Sequence, residues 1–200
     1  MSDATVKSSF AEQRFSELEE AGNIAAQWPT IQGNNLDIRT RFIFQKQTVQ
    51  SVLTSCAENS LANEVTAYAL TRWTRWMRHD AWMERFLEEP AVERAENPMD
   101  KQIDFSIEGV PFDLKVTRFP RAAERHLTER ELAIWLYINQ SKEGRFHLAN
   151  RLFVVADDED RLYNWQIADG AVAGFMENRH DRMLELTARS GPLTAAVIRV

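Results

Sequence analysis

Cysteine is almost missing from this chain of 200 residues: Cys56 stands alone, so no internal disulfide can form. The histidines, His79, His126, His147 and His180, have no cysteine or histidine at zinc-site spacing. Glycine is scarce, at seven, and nowhere builds a phosphate-cradling loop; no serine sits in a Gly-x-Ser-x-Gly turn. These gaps argue against a disulfide scaffold, a zinc module, a P-loop and a nucleophilic hydrolase. No run approaches the roughly eighteen apolar residues that span a bilayer, and the opening MSDATVKSSF lacks the apolar centre of a signal peptide. The expectation is a soluble, cytoplasmic protein with no membrane partner. A net charge of -6 argues against indiscriminate polyanion binding, so any contact with nucleic acid has to be local.

What is present is a 44% hydrophobic composition, enough for one domain, or for one core domain with a helical extension. The richest stretch runs from Lys101 to Arg118, KQIDFSIEGVPFDLKVTR. Glu108-Gly109 separates two alternating runs, and a two-residue turn there pairs Ile107 with Val110, Phe105 with Phe112 and Ile103 with Leu114 on one apolar face. On the other face the same register sets Asp104 across from Asp113, with Lys115 two residues along. Opposed carboxylates repel unless a cation lies between them, and Asp-x8-Asp-x-Lys supplies hard oxygen ligands beside an ammonium. The plainer alternative is a surface hairpin of ordinary solvated charges.

Asp104 followed by Asp113-Leu114-Lys115 across a hairpin resembles the active-site signature of the PD-(D/E)xK nucleases, the restriction-endonuclease-like superfamily. The resemblance implies a mixed β-sheet flanked by helices. It also implies Asp104 and Asp113 as ligands of Mg2+, with Mn2+ as a substitute, and Lys115 as the catalytic lysine that orients or deprotonates the attacking water. A glutamate on the helix before the hairpin often reaches the metal in that family, which makes Glu64 the candidate here. The implied activity is phosphodiester hydrolysis in DNA, or less readily RNA, with a homodimer as a further expectation. The alternative is a non-catalytic nucleic-acid-binding or protein-interaction module on the same fold. The Pro-Asp of the family name is not at the hairpin: Ile103 precedes Asp104, whereas Pro98 precedes Met99-Asp100, leaving Asp100 in reserve.

The rest of the chain supplies the frame. Ser8 or Ser9 can cap a helix to about Ala21, with Phe10, Phe15 and Leu18 towards its buried side. The interval from Gly22 to Asn35, with Pro29 and Gly33, reads as a linker. Arg41 to Ala57 has helical spacing, although Ile38 to Phe44 alternates well enough to begin as a strand. Ser60 to about Glu88 predicts a long helix, with a break at Asp80 as one option and Trp73, Trp76 and Trp82 as packing residues. Along it, Glu64, Tyr68, Arg72, Arg75 and His79 share a face, so Arg72 and Arg75, together with Arg118 and Arg121 after the hairpin, are candidate phosphate contacts; the competing reading is a solvated surface. The only material for a strand before Asp104 is the short Ala91–Glu96.

Thr128-Glu129-Arg130-Glu131 is a capping box with Leu127 and Leu132 as its staple, predicting a helix from Glu129 to about Ser141 that Gly144 can end. Arg151–Ala156 reads as a buried strand, the following Asp157–Asp160 as a solvated turn, Gly170 to Ala188 as a helix and Leu193 to Val200 as a last strand. The expected division is a helical extension over residues 1–58 and an α/β core over 59–200.

Overall fold

The computed structural model describes residues 9–25, 34–97, 102–139, 149–188 and 191–200. Pro29, Gly33, Pro98, Asp100, Ser141 and Gly144 therefore lie outside the described residues. The chain divides into two compact units, Met1–Ala81 with Tyr163–Trp165, and Trp82–Leu162 with Gln166–Val200. Among the described residues, no helix is long and apolar enough to cross a membrane.

The first unit is helical: α1 (Phe10–Ala25), α2 (Asn34–Arg39), a 3-10 helix (Arg41–Gln45), α3 (Val49–Glu58) and α4 (Asn63–Leu87), the last residues of which, from Trp82, belong to the second unit. Ser9 caps α1, its hydroxyl accepting from the Glu12 amide at 3.1 Å. The buried stripe of α1 is Ala11, Phe15 and Leu18; Phe10 stands one residue off that stripe and is exposed, its ring facing the Arg14 guanidinium at 4.4 Å. The strand considered at Ile38 to Phe44 does not form. Its backbone closes on itself instead, Thr40 N donating to Leu36 O at 3.0 Å and Ile43 N to Thr40 O at 3.3 Å, and alternation makes a strand only where another strand offers its edge. Helix α4 passes Asp80 without a break, and the Asp80 carboxylate pairs with Arg14 at 2.8 Å. Trp73 is fully buried and donates to Lys46 O at 2.9 Å, and Trp76 packs edge-on against Phe44.

The second unit is α/β, a six-stranded mixed sheet flanked by helices. Its strands are β1 (Val92–Arg94), β2 (Phe105–Ile107), β3 (Val110–Arg118), β4 (Arg151–Ala156), β5 (Leu184–Ala188) and β6 (Gly191–Arg199), in the order β1-β2-β3-β4-β6-β5. The three-residue β1 forms within the weak Ala91–Glu96 stretch and edges the sheet. Helix α5 (Glu129–Asn139) carries the chain from β3 to its parallel neighbour β4, as such a connection requires. The capping box forms as predicted, Thr128 N donating to Glu131 Oε2 at 2.8 Å and Glu131 N to Thr128 Oγ1 at 3.3 Å. Leu132, Ala133 and Leu136 of α5 bury one face of the sheet with Phe153, Val155, Ala195 and Val197. On the other face, Phe105 stacks on Phe86 of α4 at 5.2 Å, and Phe86 meets Phe175 of α6 (Trp165–Glu177) edge-on at 6.2 Å. Trp82 is buried and donates to Leu162 O at 3.0 Å, so it packs as expected.

The helix expected from Gly170 to Ala188 is too long. α6 ends at Glu177, α7 (Arg179–Arg182) adds one turn, and Leu184–Ala188 pairs antiparallel with β6, setting Leu186 against Leu193. Leu-Glu-Leu-Thr-Ala fits either period; the neighbouring strand decides for period two by burying Leu186.

The β2–β3 hairpin has the expected pairs Phe105 with Phe112 and Ile107 with Val110, and its turn residues Glu108 and Gly109 both have positive φ, at 51° and 79°. That is the conformation whose twist matches the strands of a two-residue hairpin. Glu108 tolerates it while held by Arg179, whose Nε donates to Oε1 at 3.0 Å. A Cβ added at Gly109 or at Gly170 in α6 meets nothing within 4 Å, so conformation alone decides the effect. Gly109→Ala is expected to lower stability by about 1 kcal/mol or more, and Gly170→Ala to raise it by about 0.5 to 1 kcal/mol. Urea unfolding of the two variants, which carry the same chemical change, checks the opposite signs.

Candidate active site

Asp113 and Arg151 are partners across the parallel β3–β4 pair, as are Lys115 and Phe153, so Asp113, Lys115 and Arg151 share the face on which α5 packs. Asp113 is buried with its side chain 8% exposed, and so is that of Arg151, whereas Lys115 is 36% exposed. The Lys115 ammonium donates to Asp113 Oδ1, and Arg151 Nε stands 3.3 Å from Oδ2. The guanidinium carbon of Arg151 lies 5.2 Å over the ring of Tyr137, which α5 contributes and whose hydroxyl donates to Ala149 O at 3.1 Å. Burial raises the Asp113 carboxyl above its ordinary value; Lys115 opposes the rise most, Asp104 adds to it and Arg151 works against it. Burial also pushes the Tyr137 phenol up to about 12, against the pull of the Arg151 charge.

Asp104 arrives at this cluster in an unexpected way. The regular ladder stops at Phe105 with Phe112, and the predicted pairs of Ile103 with Leu114 and Asp104 with Asp113 are not part of it. Asp104 N donates to Phe112 O at 2.8 Å, the carbonyl of the residue already paired with Phe105, so the strand turns locally as in a bulge. The Asp104 carboxylate then replaces the missing backbone partner, its Oδ2 accepting from Leu114 N at 2.7 Å. Asp104 thus reaches the site in the plane of the ladder and is close enough to act on the Asp113 charge.

The sequence reading missed three residues here: Tyr137, Arg151 and Asn150. Asn150 Nδ2 donates to Pro111 O at 3.0 Å and its Oδ1 accepts from Thr194 N at 2.8 Å, while Asp113 N donates to Asn150 O at 2.9 Å. It fastens β3, β4 and β6 together beside the charges. The one signal for Arg151 was a charge opening an otherwise apolar strand.

The remaining candidates are placed differently. Glu64 is exposed in the first turn of α4 and belongs to the first unit. Arg72 is already engaged in that unit, donating through Nη1 to Asp37 O at 2.7 Å and Thr40 Oγ1 at 3.1 Å and lying 4.9 Å over the Phe44 ring, so it fastens α2 and the 3-10 helix. Arg75 and Arg121 are exposed. Arg118 is exposed with Glu159 at 3.7 Å, and Arg125 pairs with Asp157 at 2.7 Å, so the acidic turn is solvated and partly neutralised by the loop that precedes α5.

No family model, curated protein or solved structure matches the chain. The chemistry of the site therefore rests on its own geometry. Among the described residues no group of three or more His, Cys, Asp or Glu side chains is placed to hold a metal ion. Two neighbouring carboxylates remain, Asp104 and Asp113, and Mg2+ is commonly held by one or two carboxylates, with waters and substrate phosphates completing its shell. The Asp104 and Asp113 carboxylates are oxygen donors of the kind that ion takes.

The raised Asp113 carboxyl sets a pH dependence in the presence of a chelator. Because folding favours the protonated form, this contribution to stability is present below the unfolded value near 3.8 and is lost as pH rises through the folded value. Asp113→Asn cannot ionise, so its melting temperature is expected to gain on the wild type as pH is taken from about 4 to 7. Thermal melts across that range read the difference directly, and a constant gap contradicts the assignment.

Proposed function

We propose that the second unit is a metal-dependent nuclease of restriction-endonuclease-like architecture, hydrolysing phosphodiester bonds of nucleic acid, with DNA put ahead of RNA by the resemblance alone. One observation carries this reading: Asp104, Asp113 and Lys115 meet at one end of a β2–β3 hairpin within the element order α4-β1-β2-β3-α5-β4, the α-β-β-β-α-β order of that superfamily. A carboxylate shifted by burial and by a like-charged neighbour, with a half-exposed lysine on it, is the electrostatic pattern of functional sites. Asp104 and Asp113 would hold Mg2+ or Mn2+, which when bound supplies Lewis-acid activation of the phosphate and of the attacking water. Lys115, held in place by Asp113, orients the water and lends positive charge where negative charge develops on the phosphate. On the second unit the exposed Arg118 and Arg121 are the candidates for backbone phosphate contacts; Arg75 lies in the first unit, and Arg72 is spent on that unit's own packing.

A second reading, a non-catalytic nucleic-acid-binding or protein-interaction module on the same frame, is favoured by one specific observation: Lys115 and Arg151 already answer the Asp113 charge with protein cations. The two readings separate on one set of variants. For a nuclease, cleavage of single-stranded DNA, double-stranded DNA or RNA depends on Mg2+ or Mn2+ and stops with a chelator. Lys115→Ala then loses about a hundredfold or more of that activity while Mn2+ still raises its melting temperature, and Asp113→Asn loses both. Wild-type protein that neither cleaves nor gains thermal stability from Mn2+ is the non-catalytic module.

A further inference from the structure

We propose that Arg151 is a tethered counter-cation for Asp113, which competes with a divalent ion for the carboxylate, so that metal and phosphodiester bind to this site as a pair. The inference rests on the metal-site reading above and adds how that site is regulated.

Three features lead to it. Register fixes Arg151 opposite Asp113 and its guanidinium is stacked over Tyr137, so this cation cannot drift off into solvent as a surface arginine can. Its Nε is 3.3 Å from Asp113 Oδ2, yet this buried N–H finds no hydrogen-bond partner among the described residues. An ion pair without its directional bond holds charge in balance while leaving a donor unmet, and a buried unmet donor is costly. A phosphate oxygen is the kind of acceptor that would meet it, since guanidinium donors match phosphate. The third feature is charge. Among the described residues Asp104, Asp113, Lys115 and Arg151 cancel formally, so a lone dication enters a partly buried cluster that is already balanced and faces two protein cations. A phosphodiester entering with the metal returns the site towards neutrality and gives Arg151 a partner other than Asp113.

The test is Mn2+ binding by calorimetry to the full chain, with and without dimethyl phosphate as a simple phosphodiester that carries no base or sugar. Dimethyl phosphate is expected to strengthen Mn2+ binding to the wild type. Arg151→Met is expected to bind Mn2+ alone at least tenfold more tightly than the wild type and to gain little from the phosphodiester. Arg151→Lys, which keeps the charge, should stay near wild type, a distinction that a merely structural role does not make. If Arg151→Met fails to fold, Arg151→Gln carries the same expectation. Should the neutral variants bind Mn2+ no more tightly than the wild type while Asp113→Asn abolishes binding, the metal site stands and the role of Arg151 is overturned. If neither the wild type nor the neutral variants bind Mn2+, both the site and this inference fall.

Discussion

A carboxylate taken out of water has to be answered by charge or by protons, and in this protein Asp113 is that carboxylate. Its surroundings in the second unit follow from the answer. Lys115 comes from the same strand, Arg151 from the parallel neighbour, and Tyr137 from the helix that connects the two. A slip of one residue between β3 and β4 turns Asp113 to the opposite face, towards the side on which Phe86, Phe105 and Phe175 pack and away from Arg151. The register of this parallel pair is therefore specified by electrostatics, because Leu152 to Ala156 is apolar on both faces and does not by itself choose one.

The two faces of the sheet divide the labour. One is a continuous aromatic and aliphatic layer in which phenylalanines from a helix, a hairpin and a second helix meet. The other is apolar under α5 towards β6 and becomes polar where β3 and β4 begin, so the charged cluster sits at the border of a packed layer. Such borders are where an ionisable group can be desolvated enough to be perturbed and still be reached. Lys115, half exposed beside a buried aspartate, marks the accessible side of that border.

Much of this frame was legible in the sequence because the relevant signals are local. The turn at Glu108-Gly109, the capping box at Thr128 and the apolar run from Arg151 to Ala156 each involve residues within a few positions, and each forms as read. What escaped depends on partners distant in the chain. Leu184 to Ala188 is a strand only because β6 lies beside it. Arg72 looks like a spare cation until Asp37 and Thr40 close on it from another helix. The hairpin register was right as far as Phe105, but alternation could not reveal that Asp104 would leave the ladder and spend a carboxylate oxygen on the Leu114 amide. Arg151 was invisible as a site residue for the same reason: its meaning lies in a strand 38 positions earlier.

Asn150 carries a consequence of a different kind. Its side chain donates to a carbonyl of one strand and accepts from an amide of another, while its own carbonyl serves a third contact at Asp113. Aspartate at that position has no donor for Pro111, lysine has no acceptor for Thr194, and glutamine is longer by a methylene in a place set by backbone spacing. Of these four side chains asparagine alone does both jobs at this length. The identity of this uncharged neighbour of the charged cluster is therefore set by geometry, through two strands it must reach at once, and not by charge.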